Sequence, residues 1–128
     1  MIYIDTSVVL AHVLSEDVRP PITLWNHPLA SSQLTEYEAW VRVHAYGKAA
    51  THGATLASTL GTLDLLALDE AACSRCRAPF PLPVRTLDAL HLAAADHLRS
   101  RGFEVEVASY DERMRAAAAA MGFQIYPL

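Results

Sequence analysis

The chain has 128 residues, 52% of them hydrophobic and 19% charged, with a net charge of −4. This is the length of one domain, with enough apolar material for a packed core and too much for a disordered chain. The charge excludes a broad basic nucleic-acid face, although a bound divalent cation would offset an acidic cluster and arginines can gather locally.

The first predicted element is a strand over residues 1–4, MIYI, followed at once by Asp5, Thr6 and Ser7 and an apolar helix at about 7–15. Asp5 interrupts the apolar opening, no basic region precedes it, and no apolar run reaches the ~18 residues of a membrane span. The expectation is therefore a cytoplasmic protein, with no export signal. A weaker strand, PLAS, covers 28–31, and a helix is predicted over 34–48. That helix carries Glu36 and Glu38, which point ~200° apart at 100° per residue. Leu34, Tyr37, Val41 and Ala45 trace an apolar stripe that includes Glu38, which makes Glu38 the preferred candidate, although Trp40 and Val43 lie nearer Glu36.

A helix at 52–61 leads to a strand at 63–68 and another helix at 69–77. The last contains Cys73 and Cys76 in C-S-R-C. No second ligand pair accompanies them, so they read as packing or surface thiols. PFPLPVR cannot be helical and forms an extended approach to a helix at 87–101. Thr86 is its expected N-cap, which places Asp88 in the first turn. The alternating EVEVAS, 104–109, is the clearest interior strand. Asp111 then opens a helix at 112–121, and FQIY, 123–126, is the last strand. No repeat, linker or composition shift divides the chain, so one domain over 1–128 is expected.

Short apolar strands alternating with helices predict an α/β fold, a parallel sheet covered on both faces. In such sheets ligands bind beyond the carboxyl ends of the strands. Asp5 and Asp111 both follow strands and share one edge if those strands are neighbours. Each acid has an ordinary explanation: Asp5 and Asp111 as helix caps, Glu38 paired with an arginine, Asp88 at a helix dipole. Together they would repel without a cation. Oxygen-only ligands suit Mg²⁺ or Mn²⁺, and a metal-bound water can attack a phosphodiester.

MIYIDTS, SSQLTEYEAWVR, RTLDALHLAAA and ASYDERM, in that order, resemble the motifs of PIN-domain ribonucleases. More narrowly, they resemble the VapC-type toxins of type II toxin–antitoxin modules. The resemblance spans nearly the whole chain. It implies a three-layer α/β/α domain with a central, mostly parallel sheet. It also implies Mg²⁺- or Mn²⁺-dependent endoribonuclease activity on structured RNA such as tRNA or rRNA, leaving 5′-phosphate and 3′-hydroxyl ends. A cognate antitoxin would block the site, and the toxin would form a homodimer or a heteromer with its antitoxin. Carried over by position, the metal-holding catalytic acids fall on Asp5, Glu38, Asp88 and Asp111, with Asp96 in reserve for the last. Thr6 or Ser7 would orient Asp5 or a metal-bound water. His91, one turn beyond Asp88, could approach the site, but reads first as a packed or hydrogen-bonded helix histidine.

Arg85, Arg99, Arg101, Arg113 and Arg115 are candidates for phosphate contact, or plain solvated charge. His12, His27, His44, His52 and His97 have no zinc spacing. Val8, Val9, His12, Val13 and the Leu34 stripe would serve the core, a dimer or an antitoxin helix. Two other classes compete. A phospho-acceptor signalling domain would want a late lysine, whereas the one lysine is Lys48. A catalytically idle PIN-like module binding RNA or protein would be expected to have lost an acid.

Overall fold

Strand β1, Ile2–Ile4, has no exposed face, because Ile2 and Ile4 point to one side of the sheet and Tyr3 to the other, and all three are buried. This geometry comes from a computed structural model that describes residues 1–14 and 17–128; the predicted end of the first helix, at residue 15, lies outside them. The remaining strands are β2 (Leu29–Ser32), β3 (Asp64–Leu66), β4 (Glu106–Ala108) and β5 (Gln124–Ile125). They form one five-stranded sheet in the order β3-β2-β1-β4-β5, with every pairing parallel. All five predicted strands are present; four are shorter than their apolar segments, and β2 has the predicted length but is shifted by one residue.

Helices α1 (Thr6–Leu14), α2 (Gln33–Ala45) and α3 (Ala49–Leu60) cover one face, where Val8, Val9, Val13, Ala39, Val43 and Leu56 pack on Ile2, Ile4 and Leu29. Helices α5 (Thr86–Ser100) and α6 (Glu112–Ala120) cover the other, where Leu92, Ala95, Met114 and Ala118 meet Tyr3, Ala30 and Val107. Short α4, Glu70–Cys73, packs against α5. The result is the expected three-layer α/β/α arrangement, with a sheet that is wholly rather than mostly parallel.

Three expectations change. The helix at 69–77 is α4 plus a tighter turn, Ser74–Arg77, and a second such turn, Ile22–Asn26, had no sequence signal. Thr86 does not cap α5; it is the first helical residue, and Arg85 occupies the cap position without a side-chain bond. The stripe on α2 is also displaced. Tyr37 and Val41 are exposed, whereas Thr35, Ala39 and Val43, spaced by four, form the buried line. Val8, Val9 and Val13 belong to the core and offer no docking surface. PFPLPVR is irregular, as expected.

The chain runs outward from β1 to β3 on one side, then returns to lay β4 on the other side of β1. The order of connection therefore reverses between β1 and β4, the place where sheets of this kind form a crevice at the carboxyl ends of the strands. Among the described residues, no helix is long and apolar enough to cross a membrane.

Candidate active site

The register of β1 on β4 pairs Ile4 with Ala108, so the next residues, Asp5 and Ser109, emerge side by side at the crevice. Asp5 is 6% exposed. Its Oδ1 accepts from the Ser7 backbone N–H at 3.1 Å and the Ser7 hydroxyl at 2.5 Å, and its Oδ2 accepts from the Ser109 hydroxyl at 2.5 Å. Both serines are themselves held. Tyr110 N–H donates to Ser7 Oγ at 2.9 Å, and Asp111 N–H donates to Ser109 Oγ at 3.0 Å. Burial pushes the Asp5 carboxyl above its usual range, and the hydrogen bonds from Ser109 and Ser7, with the nearby His91, only partly offset it.

Glu38 enters from α2. Thr6 Oγ1 donates to its Oε1 at 2.7 Å, and His91 Nε2 lies 2.8 Å from the same oxygen. The partners of this half-buried carboxylate are thus a hydroxyl and a histidine rather than an arginine. Burial alone would raise the Glu38 carboxyl, but the His91 and Thr6 hydrogen bonds, together with charge from His91 and Arg42, hold it below its usual range. His91 is hydrogen-bonded, as its position on α5 led one to expect, but it is bonded to a site carboxylate and so lies inside the site. Its Nδ1 meets the Tyr3 hydroxyl at 2.9 Å. Beneath, Ser31 Oγ donates to the Ile4 carbonyl at 2.6 Å and pairs with the Thr35 hydroxyl at 2.7 Å, tying β2 and α2 to the end of β1.

Asp88 sits in the first turn of α5. Its carboxyl is pushed up, first by burial and then by the charge of Asp111, with a smaller push from Glu38; His91 and Arg113 pull the other way. Asp111 caps α6, accepting from Arg113 N–H at 2.9 Å. Pro83, Val84, Arg85, Asp88 and Arg113 line one small cleft, so two of the five candidate arginines flank Asp88. Arg115 donates to the Ser109 carbonyl at 2.8 Å. Arg99 is committed elsewhere, to Asp96, to the Met121 carbonyl and to the Phe123 ring. Asp96 is equally occupied, by Arg99 and Arg75, which removes the case for it as the reserve acid.

Tyr3, Ser31 and Ser109 were not singled out from the sequence. A tyrosine between two isoleucines in a fully buried strand needs a partner for its hydroxyl, which was the available signal for Tyr3. For Ser109 the signal was its place at the end of EVEVAS.

The donors that the acids offer are oxygens, and the charges of Asp111 and Glu38 on Asp88 are offset only in part by His91 and Arg113. Both hydrogen bonds to Glu38 among the described residues fall on Oε1. Among the described residues no three acids, histidines or cysteines converge into a ready cage. This donor set fits a hard divalent cation that keeps much of its water shell, as Mg²⁺ does, rather than an enclosing protein site.

A PIN domain family model matches residues 2–120. Ribonuclease VapC46 of Mycobacterium tuberculosis (strain ATCC 25618 / H37Rv) is 31% identical over 128 residues, covering 97% of this chain and 95% of that protein. Ribonuclease VapC47 of Mycobacterium tuberculosis (strain CDC 1551 / Oshkosh) is 30% identical over 132 residues, covering 96% and 93%. A chain of a solved toxin–antitoxin complex from Klebsiella pneumoniae superposes with a TM-score of 0.64 over 94% of both chains; at 20% identity that likeness speaks for the fold. The chain belongs to the PIN-domain family, alongside the VapC ribonucleases.

Proposed function

We propose that the chain, working as one domain over 1–128, is a metal-dependent endoribonuclease toxin that hydrolyses a phosphodiester in structured RNA, with tRNA and rRNA the first substrates to try. A cognate antitoxin holds it in check, and it assembles as a homodimer or as a heteromer with that antitoxin. The observation that carries this reading is the tie of buried Asp5 through Ser109 to Asp111, together with Asp88, whose carboxyl is raised first by burial and then by the charges of Asp111 and Glu38. An acid such as Asp88, whose ionisation is opposed by burial and by neighbouring acids, is suited to a cation that offsets that charge. The relatives named ribonucleases support the activity, and the solved toxin–antitoxin complex supports the partner.

Asp5, Glu38, Asp88 and Asp111 would hold Mg²⁺ or Mn²⁺. When bound, the cation supplies an activated water and neutralises charge that develops on the phosphate. Ser7 and Ser109 fix both oxygens of Asp5; Oδ1 already accepts two hydrogen bonds, and Oδ2, which accepts one, keeps a lone pair for a further contact. Thr6 and His91 fix one oxygen of Glu38. Arg85 and Arg113, beside Asp88, are placed to take the phosphates that flank the cut.

Purified, antitoxin-free protein incubated with total bacterial RNA tests this, in Mg²⁺ or Mn²⁺, in EDTA, and beside Asp5→Asn. Discrete cleavage that needs both metal and Asp5 is the expected result, and mapping the ends identifies the RNA. Full activity of Asp5→Asn in Mg²⁺ sinks the assignment. Absence of both cleavage and metal binding would leave an idle binding module.

A further inference from the structure

Behind His91 the site contains a buried polar chain whose far end, Tyr3, the four-acid scheme does not use. Tyr3 is wholly buried in the central strand, and His91 is 4% exposed. The Tyr3 hydroxyl lies 2.9 Å from His91 Nδ1, and His91 Nε2 lies 2.8 Å from Glu38 Oε1. The two rings meet edge to face, their centroids 6.1 Å apart. Three elements, β1, α5 and α2, are thus joined in series by hydrogen bonds that end on one carboxylate oxygen.

The proton inventory gives this chain a direction. A carboxylate can only accept, so the hydrogen between Glu38 and His91 sits on Nε2. A phenol buried out of water needs an acceptor for its own hydrogen; the Ser31 and Ser32 hydroxyls lie near it, and Nδ1 is the acceptor at hydrogen-bond distance, 2.9 Å. The arrangement that satisfies every atom is Tyr3 O–H donating to Nδ1 and Nε2–H donating to Glu38. Tyr3 therefore selects the tautomer, and the tautomer places a donor on Oε1. Thr6 puts a second donor on that oxygen, at 2.7 Å. With Oε1 engaged twice, Oε2 is the oxygen that Glu38 presents to a cation.

We propose that Tyr3 and His91 are a positioning pair that fixes the orientation of Glu38, so that its Oε2 is held ready as a metal ligand before the cation arrives. Neither residue touches metal or substrate; both act through Glu38. The proposal rests on the reading of the site as a metal centre. Loss of a hydrogen-bonding group behind a metal ligand typically weakens metal binding by 10–100-fold, and Tyr3→Phe, which removes one oxygen at the far end of the chain, belongs at the lower bound.

Two measurements test it. Long-range ¹H–¹⁵N correlation on uniformly labelled, metal-free protein reads the His91 ring directly. The expected result is an unprotonated Nδ1 and a protonated Nε2 in the parent, and a mixture of tautomers in Tyr3→Phe. A proton on Nδ1 in the parent overturns the pair, whatever the metal does. Calorimetric titration with Mn²⁺ then compares the parent, Tyr3→Phe, His91→Ala and His91→Gln. Affinity should fall about tenfold in Tyr3→Phe and further in His91→Ala, with partial recovery in His91→Gln, whose amide can still donate to Glu38. Equal affinity in parent and Tyr3→Phe overturns the positioning role while leaving the metal centre intact. A parent that binds no Mn²⁺ overturns the metal centre itself, and the positioning role with it. Should His91→Ala fail to fold, Tyr3→Phe, isosteric but for one atom, still decides the matter.

Discussion

An aspartate in the first turn of a helix ordinarily ionises easily, helped by the helix dipole. Asp88 runs against that rule because burial and the charge of Asp111 oppose its ionisation. Asp5, far more deeply buried, is raised for the first of these reasons. A carboxyl raised in the fold binds more protons folded than unfolded between its ordinary and its raised value, so it lowers stability as pH rises through that window. Glu38 is lowered, so its contribution is present above the ordinary range and lost as pH falls through its folded value. Above about pH 4, the ordinary carboxyl range, Asp5 and Asp88 are therefore the site acids that decide the slope. In EDTA the melting temperature should decline as pH climbs out of that range, and Asp88→Asn should melt higher than the parent at pH 7 and show a shallower decline. Scanning calorimetry across this range checks it; a variant that melts lower than the parent at pH 7 would contradict the electrostatic account.

The junction of β4 with α6 depends on one hydroxyl. Ser109 Oγ donates to Asp5 Oδ2 and accepts from Asp111 N–H, so it ties the ends of two neighbouring strands to the start of a helix. Ser109→Ala leaves a buried carboxylate oxygen and a backbone N–H without that partner, which should cost about 1–3 kcal/mol of stability. Urea unfolding in EDTA measures it, and a loss below about 0.5 kcal/mol, the range of an ordinary surface change, would show that water replaces the hydroxyl. Such junctions explain what could be read from the sequence. The strands were legible because parallel strands buried on both faces appear as unbroken apolar runs, as MIYI does. The acids were legible because they stop those runs. Ser109 was not, since its partner Asp5 lies 104 positions away and no local pattern records the contact. Helix α2 misled for a different reason. Tyr37 and Val41 are apolar yet exposed, and adjacent apolar stripes cannot be ranked by periodicity when the buried one contains Thr35. The turn Ile22–Asn26 is too short to have a period, and Leu24, its single buried residue, anchors it.

Across the whole molecule the net charge is −4, so any RNA must be gripped locally. Arg85 and Arg113 are the cations that line the cleft at Asp88. Two phosphate contacts correspond to a slope of about −1.4 in log K against log salt for a single-stranded site. Binding of a labelled substrate RNA to cleavage-deficient Asp5→Asn, measured across salt concentrations, should give that shallow slope. A slope steeper than about −4, the value for six such contacts, would require a basic surface elsewhere. The sheet order carries a further consequence for how the protein is made. Strand β1 is made before the other four, yet it is the middle strand, and one of its two neighbours, β4, begins only at Glu106. A nascent chain on the ribosome therefore carries Asp5 with neither Ser109 nor Asp111 beside it. The crevice closes only after β4 and the turn into α6 have emerged. If the assembled site cuts RNA, the translation machinery that builds it is exposed to a finished enzyme and never to a half-made one.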